Sequence, residues 1–213
     1  MSLSASDQFV VGDLPVDGLD SGSSILLTGD DSRALEKAFY QLVAPGDDEQ
    51  AAVLATDTQG RTVKRKLDRV ERGAGDRTSV LAGTGRESDG VQSIDDLGEL
   101  SGLGMTFSSL VTEAQLGSGR FRSGILLCSS ICSAADDIRS VYRMLNSNFL
   151  PDLRRGDGVG VCALDTSADL GTASSSIVKG MSTSFGAHIE VSTSGREVVL
   201  DLSEVGGPAD ATL

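Results

Sequence analysis

The sequence predicts an α/β protein: a parallel sheet with helices on both faces and an antiparallel hairpin at the C-terminal end. Three observations point there. Short, wholly apolar runs of strand length alternate with stretches of helical periodicity. Strands that are apolar on both faces belong in a parallel sheet covered on both sides. The last two strand-like segments instead alternate apolar and polar residues around Ser194-Gly195, the pattern and turn of a hairpin.

Taken in order, Leu14 to Gly22 is rich in turn formers, and Ser24 to Thr28 reads as a buried strand ending at Gly29. Asp30, Asp31 and Ser32 supply helix-start residues. The helix they open runs to about Val43, with Leu35, Ala38, Phe39 and Leu42 on one face and Pro45-Gly46 as its stop. Ala51 to Ala55 is the second strand. Thr62 to Arg72 is a basic helix with Val63, Leu67 and Val70 on one face, and Thr78 to Ala82 is the third strand. Gly83 to Ser93 reads as a loop. Ser93 to Asp96 has the S-x-x-D form of a capping box, followed by a helix to about Gln115 that Gly102 and Gly104 should interrupt. Ser123 to Cys128 is a central strand. A second S-x-x-D, Ser133 to Asp136, opens a helix carrying Ile138, Val141, Tyr142, Leu145 and Phe149, with Pro151 as its end. Val159 to Leu164 is a strand, Leu170 to Ser184 a helix, and His188 to Ser192 with Glu197 to Leu202 the closing hairpin. With no internal repeat or linker, the expectation is one domain over residues 13–202, between a flexible N-terminus (1–12) and a flexible tail (203–213).

The 213 residues carry 18 Lys and Arg against 31 Asp and Glu, a formal net charge of -13. Such a surface repels phosphate backbones and anionic lipid, which disfavours nucleic-acid and membrane partners. Asp outnumbers Glu by 22 to 9 and Arg outnumbers Lys by 14 to 4, and aromatic residues make up only 4%. This texture is similar to that of proteins from salt-accumulating haloarchaea, whose short carboxylates stay hydrated where salt screens their repulsion. No apolar stretch reaches the roughly 18–20 residues of a membrane span, and the first ten residues lack the pattern of a signal peptide, so the expected location is cytoplasmic. Cys128, Cys132 and Cys162 are too few and too apolar in context to imply disulfides, and no metal site is expected from them with the single histidine, His188.

A strand, a glycine and a helix start form the frame of a phosphate-binding loop, G-x-x-x-x-G-K-[ST]. From Gly29 the chain reads Gly29-Asp30-Asp31-Ser32-Arg33-Ala34-Leu35-Glu36, so Ala34, Leu35 and Glu36 stand where Gly, Lys and Ser/Thr belong. Asp30 and Asp31 put negative charge where a phosphate would sit. Lys37 is two residues beyond the lysine's register. These residues sit within a wider likeness. Leu14-Pro15-Val16-Asp17-Gly18-Leu19-Asp20 and Gly22 to Gly29 resemble the approach to, and first strand of, RecA/KaiC-like ATPases. Leu54-Ala55-Thr56-Asp57 resembles their next strand. Asp95 to Phe107, Ile125 to Ser130 and Ile138 to Leu145 resemble a haloarchaeal branch of that superfamily, often degenerate at the nucleotide site.

The resemblance, over about residues 12–202, implies a RecA-like parallel-sheet core and a nucleotide site that has lost its parts. Where the family's Walker B strand ends in a Mg²⁺-holding Asp, this chain has Cys128, a poor ligand for a hard cation. Where KaiC-type enzymes carry paired glutamates, it has Asp57 between Thr56 and Thr58. The expectation is a non-hydrolysing regulatory or adaptor module, with no catalytic residues and no cofactor, bound to a protein partner or to copies of itself. The basic helix, with Arg61, Lys64, Arg65, Lys66, Arg69 and Arg72, is the candidate contact. Two alternatives stand beside it. One is an atypical ATPase with Mg²⁺, using the amides of Gly29 to Arg33, Lys37 and Asp57 as base. The other is a nucleic-acid-binding regulator using the basic helix, which lacks interleaved aromatics. The serine-rich Thr172 to Ser176 has no base paired with it that would suggest a nucleophile.

Overall fold

The computed structural model describes residues 8–213. Its strands are β1 (Ser24–Gly29), β2 (Gln50–Ala55), β3 (Thr78–Ala82), β4 (Val91–Ser93), β5 (Phe121–Leu126), β6 (Val159–Asp165), β7 (Ala187–Ser194), β8 (Glu197–Leu200) and β9 (Ala211–Thr212). They form a single sheet in the order β4-β3-β2-β5-β6-β1-β7-β8-β9. Every pairing from β4 to β7 is parallel, and β7–β8 and β8–β9 are antiparallel. The parallel sheet with a C-terminal antiparallel hairpin is the fold class the sequence predicts.

Helices α1 (Ser32–Val43) and α2 (Gly60–Val70) cover one face. Helices α3 (Leu100–Ser118), α4 (Cys128–Ala134), α5 (Ile138–Met144), α6 (Leu150–Gly156) and α7 (Ser174–Ser182) cover the other. Because strand residues alternate between faces, Ile25 and Leu27 of β1 join Leu35, Phe39, Val63 and Leu67 in one core. Leu26 joins Leu103, Phe107, Ile131, Val141 and Ile177 in the other. α1 ends where Ala44 turns to ψ 118°, the extended backbone that a following Pro45 imposes.

Several expectations are corrected. Neither S-x-x-D pair caps a helix. Ser93 ends β4, inside the expected loop, and its hydroxyl donates to Glu87 (3.1 Å). Ser133 lies within α4 and donates to the Asp169 carbonyl (2.8 Å). The caps are Glu99, which accepts from the Gly102 amide (2.7 Å), and Asp137, which accepts from the Ser140 amide (3.0 Å). Gly102 and Gly104 do not interrupt α3, since Gly102 completes its cap and a Cβ on Gly104 would lie 3.2 Å from the Asn148 side chain. Pro151 does not end the helix before it. A π-helical turn, Leu145–Phe149, links α5 to α6 and places Pro151 in the first turn of α6, where its missing N–H costs nothing. Cys128 belongs to α4 rather than to a strand, because Leu127 turns the chain sharply at φ 61°. Arg72 lies beyond α2, and α7 is shorter than its predicted span.

The expected flexible N-terminus falls, for residues 1–7, outside the described residues. Phe9 is fully buried, pairs with Leu19 through backbone hydrogen bonds of 2.8 and 2.9 Å, and has the Arg120 guanidinium 4.2 Å from its ring centroid. Arg122, itself 2% exposed, pairs with Glu49 (2.6 Å) and donates to the carbonyls of Leu42 (2.9 Å) and Val10 (2.6 Å). The expected tail holds a 3₁₀ turn, Ser203–Val205, and β9, which pairs with β8 at the sheet's edge.

Candidate functional site

In an open parallel sheet, ligands bind at the carboxyl ends of the strands. Here that edge runs from Thr56 and Asp57 after β2, through Leu127 to Ser130 after β5 and Asp165 to Ser167 at β6, to Gly29 to Ser32 after β1. Gly29 is fixed by contact: a Cβ there would lie 2.5 Å from the Val191 carbonyl oxygen of the neighbouring strand. Only two residues separate Gly29 from α1. Asp31 caps the helix, its Oδ1 accepting from the amides of Arg33 (2.9 Å) and Ala34 (3.0 Å). Those are the donors that a helix N-terminus offers to an anion, and a carboxylate of the chain itself already holds them.

The Ser32 hydroxyl donates to Asp165 Oδ2, and Asp165 Oδ1 accepts from the Ser167 amide (2.8 Å) and hydroxyl (2.7 Å). Burial pushes the Asp165 carboxyl up, but the hydrogen bonds from Ser32, Ser167 and the Ala168 amide outweigh it and hold the group below the usual carboxylate value. Sequence reasoning missed Asp165, and its signal was a carboxylate closing the apolar run Val159 to Leu164. It also missed the Thr28 hydroxyl, which lies 2.7 Å from His188 Nε2. The His188 amide donates to Glu204 (2.6 Å), so the histidine is anchored at the β7 edge.

Asp57 is exposed and accepts from the Ser130 hydroxyl (2.5 Å), tying the end of β2 to the turn after β5. Thr56 is buried, with its hydroxyl 3.0 Å from the carbonyls of both Leu126 and Leu127. Cys128 packs in the core. Hydrogen bonding with Cys128, then burial, push the Cys132 thiol far up, which makes it an inert packing group. Among the described residues, no group of three or more His, Cys, Asp or Glu side chains is placed to hold a metal ion, and no helix is long and apolar enough to cross a membrane.

The remaining site residues gather elsewhere. Arg33 and Lys37 lie on the outer side of α1 and line a cleft against α2, together with Glu36, Tyr40, Gln41, Lys66, Arg69 and Val70. Glu36 pairs with Lys66 and accepts from Thr58 (3.2 Å). Lys64 donates to the Asp89 carbonyl (3.2 Å). Arg61, Arg65, Arg69 and Arg72 are exposed and have no ion-pair partner among the described residues.

Strand order, covered parallel sheet and closing hairpin define an α/β protein of the RecA/KaiC-like fold. The solved structures agree. A Pyrococcus horikoshii OT3 protein studied as project PH0250 superposes with a TM-score of 0.59 at 13% identity, over 89% of this chain and 92% of that one. The KaiC-like protein PH0186 of the same hyperthermophilic archaeon gives a TM-score of 0.57 at 12% identity, over 92% of this chain and 86% of that one. At these identities the likeness is one of fold. Residues 22–191 match the family of unknown function DUF7504, and the chain belongs to that family. None of the curated proteins matches it.

Proposed function

We propose that the protein is a non-hydrolysing RecA/KaiC-like module that acts by binding another protein, as a regulator or adaptor in the cytoplasm of a salt-rich archaeal cell. One observation carries the reading: Asp31 accepts from the two α1 amides on which a phosphate would rest. A nucleotide there would meet a fixed like charge and displace a working cap. The rest of the edge supports the same reading. Lys37 sits in the α1–α2 cleft, Glu36 is committed to Lys66 and Thr58, and Cys128 is buried among apolar side chains. These residues do not fit a Mg²⁺–triphosphate. The Asp-rich, Lys-poor composition and the archaeal structural neighbours support the proposed cellular setting. In an acidic chain, the basic side chains gathered between α1 and α2 are the natural contact for an acidic partner.

Calorimetry with ATP and Mg²⁺ at molar KCl tests the proposal. The expected result is no heat of binding and no thermal stabilisation up to about 1 mM nucleotide, since a site loaded at a hundred times its Kd would gain about 2.7 kcal/mol. Micromolar binding, followed by turnover that Asp57→Ala abolishes, would establish an ATPase instead.

A further inference from the structure

The basic residues of α2 do not act as one face. Lys64 is held by the Asp89 carbonyl, and Arg61 and Arg65 are exposed outside the cleft against α1, whereas Lys66 and Arg69 line it. On α1, Arg33, Lys37 and Gln41 follow at i, i+4 and i+8, a stripe along one side of the helix. The two rows border a cleft of about 700 Å³ floored by Tyr40 and Val70, with four cations and one carboxylate, Glu36, in its wall. That local excess of positive charge lies in a chain whose net charge is -13.

We infer that this α1–α2 cleft is a docking groove for an acidic segment of a partner protein. The inference rests on the protein-binding reading above and names its site and partner chemistry. Charge complementarity is the first argument. Arg33, Lys37 and Arg69 are exposed and have no ion-pair partner among the described residues, so their charges are available. The arrangement is the second. Cations one helical turn apart, about 5–6 Å, match carboxylates strung along a peptide. A phosphate-binding loop instead converges backbone amides on one anion, and here the Arg33 and Ala34 amides at the start of α1 are taken by Asp31. The floor is the third. The Lys66 ammonium lies 5.4 Å from the centroid of the Tyr40 ring, and Tyr40 is only 4% exposed. Its hydroxyl has no hydrogen-bond partner among the described residues. Burial, and then the charge of Glu36, hold it in the neutral, proton-donating form. A polar donor left without an acceptor at the base of a cationic cleft marks a place where an incoming group completes the structure.

The test is fluorescence anisotropy of a labelled ten-residue peptide of alternating Glu and Leu, at fixed KCl, against the full chain. Peptide binding should weaken about tenfold or more in the double variant Arg33→Glu, Lys37→Glu and in Arg69→Glu. The pair Arg61→Glu, Arg72→Glu, with the same charge change outside the cleft, should bind as wild type does. Circular dichroism of each variant confirms that it is folded. Equal loss in both sets would overturn the inference in favour of diffuse attraction. So would wild type that ignores the peptide, or one that binds inorganic tripolyphosphate in its place. ATP turnover by the wild type, with peptide binding as expected, would defeat the non-hydrolysing reading alone, because it reports on the Gly29 loop.

Discussion

At Gly29 even a methyl group is too much. Gly29→Ala sets a Cβ about 2.5 Å from the Val191 carbonyl, which belongs to backbone and has little room to move. Overpacking of this kind costs about 1–3 kcal/mol, so the urea midpoint should fall at constant KCl. An unchanged midpoint would mean that β7 gives way instead. Removing the cap with Asp31→Ala should cost about 1 kcal/mol in the same assay. Asp165 governs an acid-sensitive part of stability. Its folded pKa lies below its ordinary value of 3.8, so it stabilises the fold above that pH. The contribution is lost as pH falls through the lower, folded value. Asp165→Asn should therefore flatten the stability curve below about pH 4. An unaltered slope there would show that the Ser32 and Ser167 bonds do not favour the ionised form. The Asp165 and His188 contacts were not legible at single positions. Ser32 and Asp165 are 133 positions apart and Thr28 and His188 are 160 apart, so only the fold brings them together. Asp31 was legible, because a cap is a local device.

Among the elements, α1 and α2 hold together by two means of different strength. Leu67 is fully buried against the sheet, and Leu67→Ala should cost about 2–5 kcal/mol. The Glu36–Lys66 pair is partly exposed, with side chains 20% and 31% accessible. A double-mutant cycle on it should give a coupling of roughly 0.2–1 kcal/mol that shrinks as KCl rises. A coupling that is indifferent to salt would mean that packing of the Lys66 stem over Tyr40, rather than charge, joins the helices. Element boundaries show what a sequence carries and what it loses. The buried strands read clearly because both faces are covered, leaving no polar residues to confuse the run. β4 has three residues and β9 two, too short for any periodicity. The S-x-x-D pairs misled because Ser93 ends β4 and Ser133 lies within α4, so neither oxygen meets the free amides of a helix start, and their hydroxyls donate instead to Glu87 and to Asp169, the latter 36 positions away. Gly104 looked like a break because its role is to let α3 approach the π-helical turn that bears Asn148.

For the molecule as a whole, a net charge of -13 on 213 residues means self-repulsion that dissolved salt must screen. Raising KCl from about 0.1 to 2 M should lift the melting temperature by roughly 2–8 °C. A melting temperature that stays flat over that range would show that the carboxylates are already balanced locally. The strand order was the least legible property. β5 and β6 lie between β1 and β2 although they come later in the chain, a consequence of long crossovers that leaves no mark in local pattern. The margins of the sheet carry one last consequence. It ends in a three-residue strand on one side and a two-residue strand on the other. Among the described residues, neither of these short edge strands exposes a long run of backbone to template an added strand. A visiting chain therefore finds little seam along which to zip itself into the sheet, and the same tapering limits fibril growth.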